Sequence, residues 1–137
     1  MIFEKNNIIS QLDIFVDNFK LKPYVRQTRR GKFVKKNAIE YNENQMTLAW
    51  EIKAKYNKVY FEKKFLFCIY KINLKKIVPQ ADWDNYVKAA QDGLVKSGII
   101  ADDNVNNIFG GMGYVIPADK NSLEISILNL KKRKLLL

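Results

Sequence analysis

The sequence contains no histidine and only one cysteine in 137 residues. Without imidazole there is no Ser–His–Asp triad, no HNH-type nuclease centre and no His-rich zinc site. One thiol can form neither an internal disulfide nor a structural zinc site. Cys68 sits in an apolar run and reads as a buried core thiol, in keeping with a reducing cytoplasm. Acid is also scarce: 14 Asp+Glu face 24 Lys+Arg, for a formal net charge of +10. No apolar run reaches membrane-spanning length, and the first residues carry no secretory h-region. Three prolines and six glycines leave few breaks, and there is no internal repeat or linker. Whatever activates water in such a chain must be a metal, a carboxylate or a lysine.

What remains is one domain by length, residues 1–137, with enough apolar content for a real core. The positive charge calls for a polyanionic partner, nucleic acid or an anionic membrane. Against that background, five acids (Asp82, Asp84, Asp92, Asp102 and Asp103) crowd into residues 82–103, offset there only by Lys88 and Lys96. Self-repelling carboxylates are explained either by a divalent cation or by a fully solvated face. Asp84 reads as the N-cap of a helix that runs to Ser97 and stops at Gly98. On it Trp83, Val87, Ala90 and Leu94 form an apolar stripe, while Asp84, Lys88 and Asp92 form a separate polar one. The turn through Ala101 returns Asp102 and Asp103 towards the helix N-terminus or its flank, the spacing leaving open which. Oxygen-only ligands suit Mg²⁺ or Mn²⁺. The plain alternative is that Asp84–Lys88 is a surface ion pair and the other aspartates are caps and turn formers.

Along the chain, Met1 to Ser10 lacks a period and reads as a mobile start. Leu12, Ile14 and Val16 alternate as a strand. Residues 20–36 hold eight cations and no acid: Lys20, Lys22, Arg26, Arg29, Arg30, Lys32, Lys35 and Lys36. Pro23 and Gly31 make this a loop, and interleaved Tyr24 and Phe33 suit phosphates and unstacked bases. Asn37, with Glu40 three residues on, caps a helix from Ala38 to Lys55 that buries Tyr41, Leu48, Ile52 and Tyr56. Lys64 to Asn73 is apolar on both faces and predicts a central strand covered on both sides. Lys75 and Lys76 follow it and lead towards Asp82. Val105 to Val115, with three glycines, is an irregular strand. Leu123 to Leu130 alternates and closes a hairpin with it. The basic residues 131–134 read as a frayed tail. The expected fold is α+β, a small mixed sheet with two main helices.

The pattern D-x-D-N-x-x-K-x-x-x-D-x-L followed by G-x-x-x-D-D resembles the RusA-type Holliday junction resolvases. Here it stands as Asp82-Trp83-Asp84-Asn85, Lys88, Asp92, Leu94, then Gly98 and Asp102-Asp103. The run Thr28-Arg29-Arg30-Gly31-Lys32-Phe33-Val34 resembles that family's arginine-rich turn. Gly93-Leu94 departs from its usual Ala-Leu. The resemblance spans about Leu12 to Leu130. It implies a homodimeric, Mg²⁺-dependent (Mn²⁺ also possible) endonuclease that resolves four-way DNA junctions by paired nicks in recombination and repair. Such an enzyme would be cytoplasmic, on the nucleoid or phage-encoded, with no organic cofactor and no membrane. On this resemblance Asp82, Asp84 and Asp103 are metal ligands and Lys88 contacts the scissile phosphate. Asn85, Asp92 and Asp102 stand behind them as supports, and Arg26, Arg29, Arg30, Lys32, Lys35, Lys36, Lys75 and Lys76 hold DNA.

A non-catalytic nucleic-acid-binding module is the alternative; it explains the charge but not the acidic cluster. Glu51-Ile52-Lys53 and Glu62-Lys63-Lys64 match half of a P-D…(D/E)-x-K nuclease motif, but both precede the aspartates, which is the wrong order. A calcium loop starting at Asp82 would place Val87 at the position that needs Gly, and Gly93 at the one that needs Glu.

Overall fold

The computed structural model describes residues 2–27, 35–56, 61, 65–78, 80–101 and 107–136. The elements follow as β1 (Ile8–Asp17), α1 (Lys36–Tyr56), β2 (Phe65–Leu74), α2 (Trp83–Lys96), β3 (Ile108–Pro117) and β4 (Ser122–Leu130), with a single 3₁₀ turn at Lys5–Asn7. The four strands make one mixed sheet in the order β1-β4-β2-β3. β2 and β3 are parallel, joined by the α2 crossover, and β4 is antiparallel to both β1 and β2. The expected α+β class is therefore what the chain adopts.

Several elements differ from the sequence expectation. β3 and β4 form no hairpin, because β2 lies between them. β4 buries both of its faces, with Leu123, Ile125 and Ile127 on one and Leu128 and Leu130 on the other. β4 reaches its place between β1 and β2 by passing the end of β2. The passage is tied by Ala118 N–H to Leu74 O (3.0 Å) and by Lys75 N–H to Asn121 Oδ1 (2.9 Å). β3, rich in glycine and with little to bury, is left at the edge.

The second difference concerns how β2 is covered. Leu66, Cys68, Tyr70, Ile72 and Leu74 point into the main core under the two helices. The opposite face is closed only at one end. There Phe3 packs edge-on to Phe67 with centroids 4.8 Å apart, alongside Leu128 and Leu130. Further along that face Lys71 pairs with Glu124 (3.5 Å), which binds Asn73. The lid over Phe67 comes from the two ends of the chain, which the sequence reading made mobile. Asn7 takes Lys132 N–H on its side-chain oxygen (2.9 Å) and Lys131 N–H on its carbonyl (2.9 Å), and Leu136 N–H donates to Ile2 O (2.6 Å). The ends are packed because Phe3 and Leu135 have an apolar surface to cover.

α1 starts at Lys36, with Asn37 inside its first turn instead of capping it. Glu40 does not reach back as a capping box would. It binds Lys22 Nζ at 3.0 Å, with Lys36 at 3.8 Å, and these cations hold its carboxyl below the usual range. The buried stripe Ala38, Tyr41, Gln45, Leu48 and Ile52 keeps helical spacing, and Tyr56 is half-buried. No helix among the described residues is long and apolar enough to cross a membrane.

Burial pushes the Cys68 thiol up to about 12, against a weaker opposing hydrogen bond with Tyr70. A thiol whose folded pKa is raised stabilises the fold below its unfolded value and loses that contribution as pH rises towards 12. Iodoacetamide at pH 8 is therefore expected to leave Cys68 unmodified in the native chain and to alkylate it fully in denaturant. Equal labelling rates would show that the β2 core opens on the labelling timescale.

Candidate active site

Asp82 occupies the N-cap of α2 in extended conformation (φ −75°, ψ 133°) and the helix begins at Trp83, two residues before the expected first turn. The Asp82 carboxylate makes no capping hydrogen bond; its backbone carbonyl accepts Asn85 N–H at 3.2 Å. Asp82 and Asp84 are both exposed, at the positive end of the helix dipole, where carboxylates are favoured. Ser97 ends the helix and Gly98 follows with φ 81°, the left-handed C′ position that the sequence predicts.

The apolar face of α2 is wider than the predicted stripe and rotated from it. Tyr86, Ala89, Ala90, Gly93 and Leu94 are buried. Trp83 is 56% exposed; its indole N–H donates to Gly113 O of β3 at 2.8 Å. The helix is wedged between the sheet and α1, so two of its sides are covered. Against α1, a Cβ at Gly93 would run into Leu48. Gln45, also buried, donates to Ala89 O at 2.8 Å and accepts from Lys96 Nζ at 3.3 Å. The Gly at 93 that departs from the family pattern thus lets two helices approach.

The polar stripe divides. Asp84 and Lys88 form no ion pair: among the described residues the salt bridges are those of Glu40 and Glu124. Lys88 Nζ instead lies 3.7 Å from the Tyr24 ring centroid, a cation–π seat. Tyr24 is fixed by its N–H to Asn85 O (2.9 Å) and by an edge contact with Tyr41. Asp92 turns the other way. Its carboxylate accepts the Tyr41 hydroxyl at 3.4 Å, and burial first, then Asp92, pushes the Tyr41 hydroxyl far above its ordinary pKa. Asp92 therefore supports the helix pair and is not gathered with Asp82 and Asp84.

Asp102 and Asp103 lie outside the described residues, as do Arg29, Arg30 and Lys32. The flanks of the aspartate pair are described. Ile100 bridges to Phe61 ahead of β2, and Asn107 O accepts Leu66 N–H at the start of β2 (2.9 Å). Both flanks sit where β2 begins, whereas Asp82 follows the end where β2 finishes. Arg26, Lys35, Lys36, Lys75 and Lys76 are all exposed.

The described part of the basic segment is a strap against both helices, not a free loop. Leu21 is buried, Asn44 clamps Lys22 N–H (2.8 Å) and Lys20 O (2.9 Å), and Gln27 pairs with Asn42. The apolar bodies of Phe19, Leu21 and Tyr24 set among the cations were the signal for this. Sequence reasoning treated Tyr24 as a surface for bases and did not foresee that it seats Lys88.

Among the described residues no group of three or more His, Cys, Asp or Glu side chains could hold a metal. Asp82 and Asp84 supply two exposed oxygen donors on one helix turn. That donor set fits a hard cation that keeps most of its waters. No protein-family model matches the chain, and no curated protein matches it.

The approach of the helices carries a prediction. Gly93→Val should cost about 1–3 kcal/mol in urea unfolding by overpacking, and Leu48→Ala in the same chain should return part of it. Strict additivity of the two changes would mean that the helices do not meet at this point.

Proposed function

We propose that this chain is a metal-dependent endonuclease that resolves four-way DNA junctions, as its resemblance to the RusA-type resolvases implies. The observation that carries the reading is the state of Lys88. It forms no ion pair with Asp84, which has none among the described residues, and is held over Tyr24 one helical turn from two exposed carboxylates. In an ordinary surface pair the two charges would meet. Here the carboxylates stay available to a cation and the ammonium to a phosphate, in a chain whose net charge favours a polyanion.

On this reading Asp82 and Asp84, with Asp103, hold Mg²⁺ or Mn²⁺. When bound, the ion lowers the pKa of a coordinated water and neutralises charge at phosphorus. Lys88 places positive charge where it builds on the phosphate oxygens in the transition state. Tyr24 restricts where that ammonium can go, which keeps it from collapsing onto Asp84. Asp92 holds α2 to α1 through Tyr41, so it acts on the site by position. Such an enzyme would work in the cytoplasm, on the nucleoid or on phage DNA.

A second chain completes this proposal. Asp103 is two residues past Ala101, a reach of about 7 Å, while α2 is about 21 Å long and separates Ala101 from Asp82. Within one chain Ala101 and Asp82 thus lie at opposite ends of α2. β3 offers a surface for a two-fold partner. It is an edge strand with no charged residue from Ile108 to Pro117 and with Met112 and Tyr114 exposed, and edges without charge invite pairing. Antiparallel pairing of two β3 strands sets the Asn107 end of each against the Pro117 end of the other, the end beside which α2 begins. Each site would then take Asp82 and Asp84 from one chain and Asp103 from the other.

Two outcomes are expected. Asp82→Asn, Asp84→Asn and Asp103→Asn should each abolish junction cleavage, as should EDTA, while binding survives. Lys88→Ala should slow single-turnover cleavage by about 10²–10³-fold with little change in affinity. Normal rates in these variants would leave the non-catalytic binding module as the better reading. Further, mixing Asp82→Asn with Asp103→Asn chains should restore nicking, because one of the two shared sites in each mixed dimer is whole. On a cruciform plasmid the product would be open circles. A mixture as dead as its parents would place all three carboxylates within one chain.

A further inference from the structure

Three loops meet at the end of the sheet where β2 finishes: the exit of β1, the exit of β2 and the β3–β4 turn. Each brings a lysine, so that Lys20, Lys75 and Lys120 line one shallow cavity of about 300 Å³ together with Asn18, Asp119 and Asn121. All three lysines are exposed. None forms an ion pair among the described residues, where the salt bridges use Lys22, Lys36 and Lys71. Three like charges around one concavity, against a single carboxylate, raise each other's energy unless an anion joins them.

The backbone that carries them is fixed. Asn121 accepts Lys75 N–H on its side chain (2.9 Å) and Phe19 N–H on its carbonyl (3.2 Å), so one residue ties all three loops. Asn44 holds Lys20 O at 2.9 Å, and Asn18 turns the chain in the left-handed region with φ 50°. The fold thus sets where the three stems begin. Lys20 also borders a second, mostly apolar cavity that runs past Pro23 and Val78 to Ala81 and Tyr86. Ala81 precedes Asp82. Lys20 thus lines both cavities, and the second reaches the residue that precedes the carboxylates.

We propose that Lys20, Lys75 and Lys120 form a phosphate cradle for the nucleic-acid backbone, seating phosphodiesters away from the bond to be cut. The proposal rests on the nuclease reading only for the identity of the strand it would guide. A concave cradle rimmed by Asn18, Asp119 and Asn121 fits a row of phosphates. A flat anionic membrane laid on this end would also meet Asp82, Asp84 and Asp119.

The test compares two triple variants with the same change in net charge. One is Lys20→Ala/Lys75→Ala/Lys120→Ala. The other, Lys131→Ala/Lys132→Ala/Lys134→Ala, removes the lysines around the terminal cavity beside Asn7. Binding of a fluorescent four-way junction is measured in EDTA from low to moderate salt, with cleavage in Mg²⁺ read separately. The cradle variant should flatten the log K–log[salt] slope by about 0.9 per contact, and so by up to about 2.7, while the terminal variant stays near wild type. If the cradle triple does not fold, the three single Lys→Gln variants should each lose about 0.9.

A wild-type slope in the cradle variant overturns the proposal, as does an equal fall in both triples, which would reflect net charge alone. Cradle-dependent binding to phosphatidylglycerol vesicles with junction binding unchanged also overturns it, in favour of a membrane. A wild-type chain that binds through the cradle but never cuts supports the cradle and defeats the nuclease reading. A chain that cuts with an unaltered slope in the cradle variant does the reverse.

Discussion

α2 can lie against α1 as it does only because position 93 has no Cβ. Leu48 occupies that space, and the rest of the helix interface follows from the approach it permits. Gln45 reaches Ala89 O, Tyr41 reaches Asp92, and Lys96 finds Gln45. On its other side α2 is held to the edge strand by the Trp83 indole. A helix fixed on two sides has a fixed N-terminus, and the position of Asp82 and Asp84 is a consequence of packing well removed from them. The basic strap depends on the same placement, since Tyr24 N–H bonds to Asn85 O in the first turn of α2.

Among the described residues three lysines are paired with carboxylates, Lys22 and Lys36 with Glu40 and Lys71 with Glu124. Lys20, Lys75, Lys88 and Lys120 have no carboxylate partner there, and neither Asp82 nor Asp84 pairs with a cation. Exposed pairs contribute little to stability, about 0–1 kcal/mol each, so keeping such charges apart costs the fold almost nothing. It leaves both kinds of charge exposed. On the proposed reading, a nucleic-acid phosphate would be complementary to the cations and a hard cation to the carboxylates.

Much of this was legible in the sequence, and the exceptions have physical causes. Helical periodicity located both helices within two residues at each end, and Gly98 marked the stop of α2 because a left-handed C′ position favours glycine. An apolar run located β2, and alternation located β1 and β4. It could not order them, since Ile125 and Ile127 alternate in the same way whether β4 has one neighbour or two. The predicted face of α2 was rotated because one stripe was fitted to a helix that two layers cover. The ends read as mobile because Met1 to Ser10 shows no period and residues 131–134 are basic, while Phe3 and Leu135 are held by a distant apolar face. The acidic island was plain from composition. That Lys88 turns from Asp84 to Tyr24 was not, because the spacing of four residues is the one that favours an ion pair. Only the tertiary position of the strap decides between them.

The separation of the flanks of Asp103 from Asp82 bears on how such a site would be controlled. A crossover helix places its N-terminus by the far end of one strand and its C-terminus by the near end of the next. Residues 82–84 and 101 therefore belong to opposite ends of the layer for topological reasons, and no rotamer change can close about 20 Å. Two β3 edges related by a two-fold axis run antiparallel, and an antiparallel relation exchanges ends. On the proposed reading, such a pairing would set the Ala101 end of one chain beside Asp82 of the other. If the proposed function holds, hydrolysis would be confined to an assembled dimer, whose two sites would face equivalent strands of a two-fold symmetric junction. A free monomer would retain its phosphate contacts and lack the means to cut.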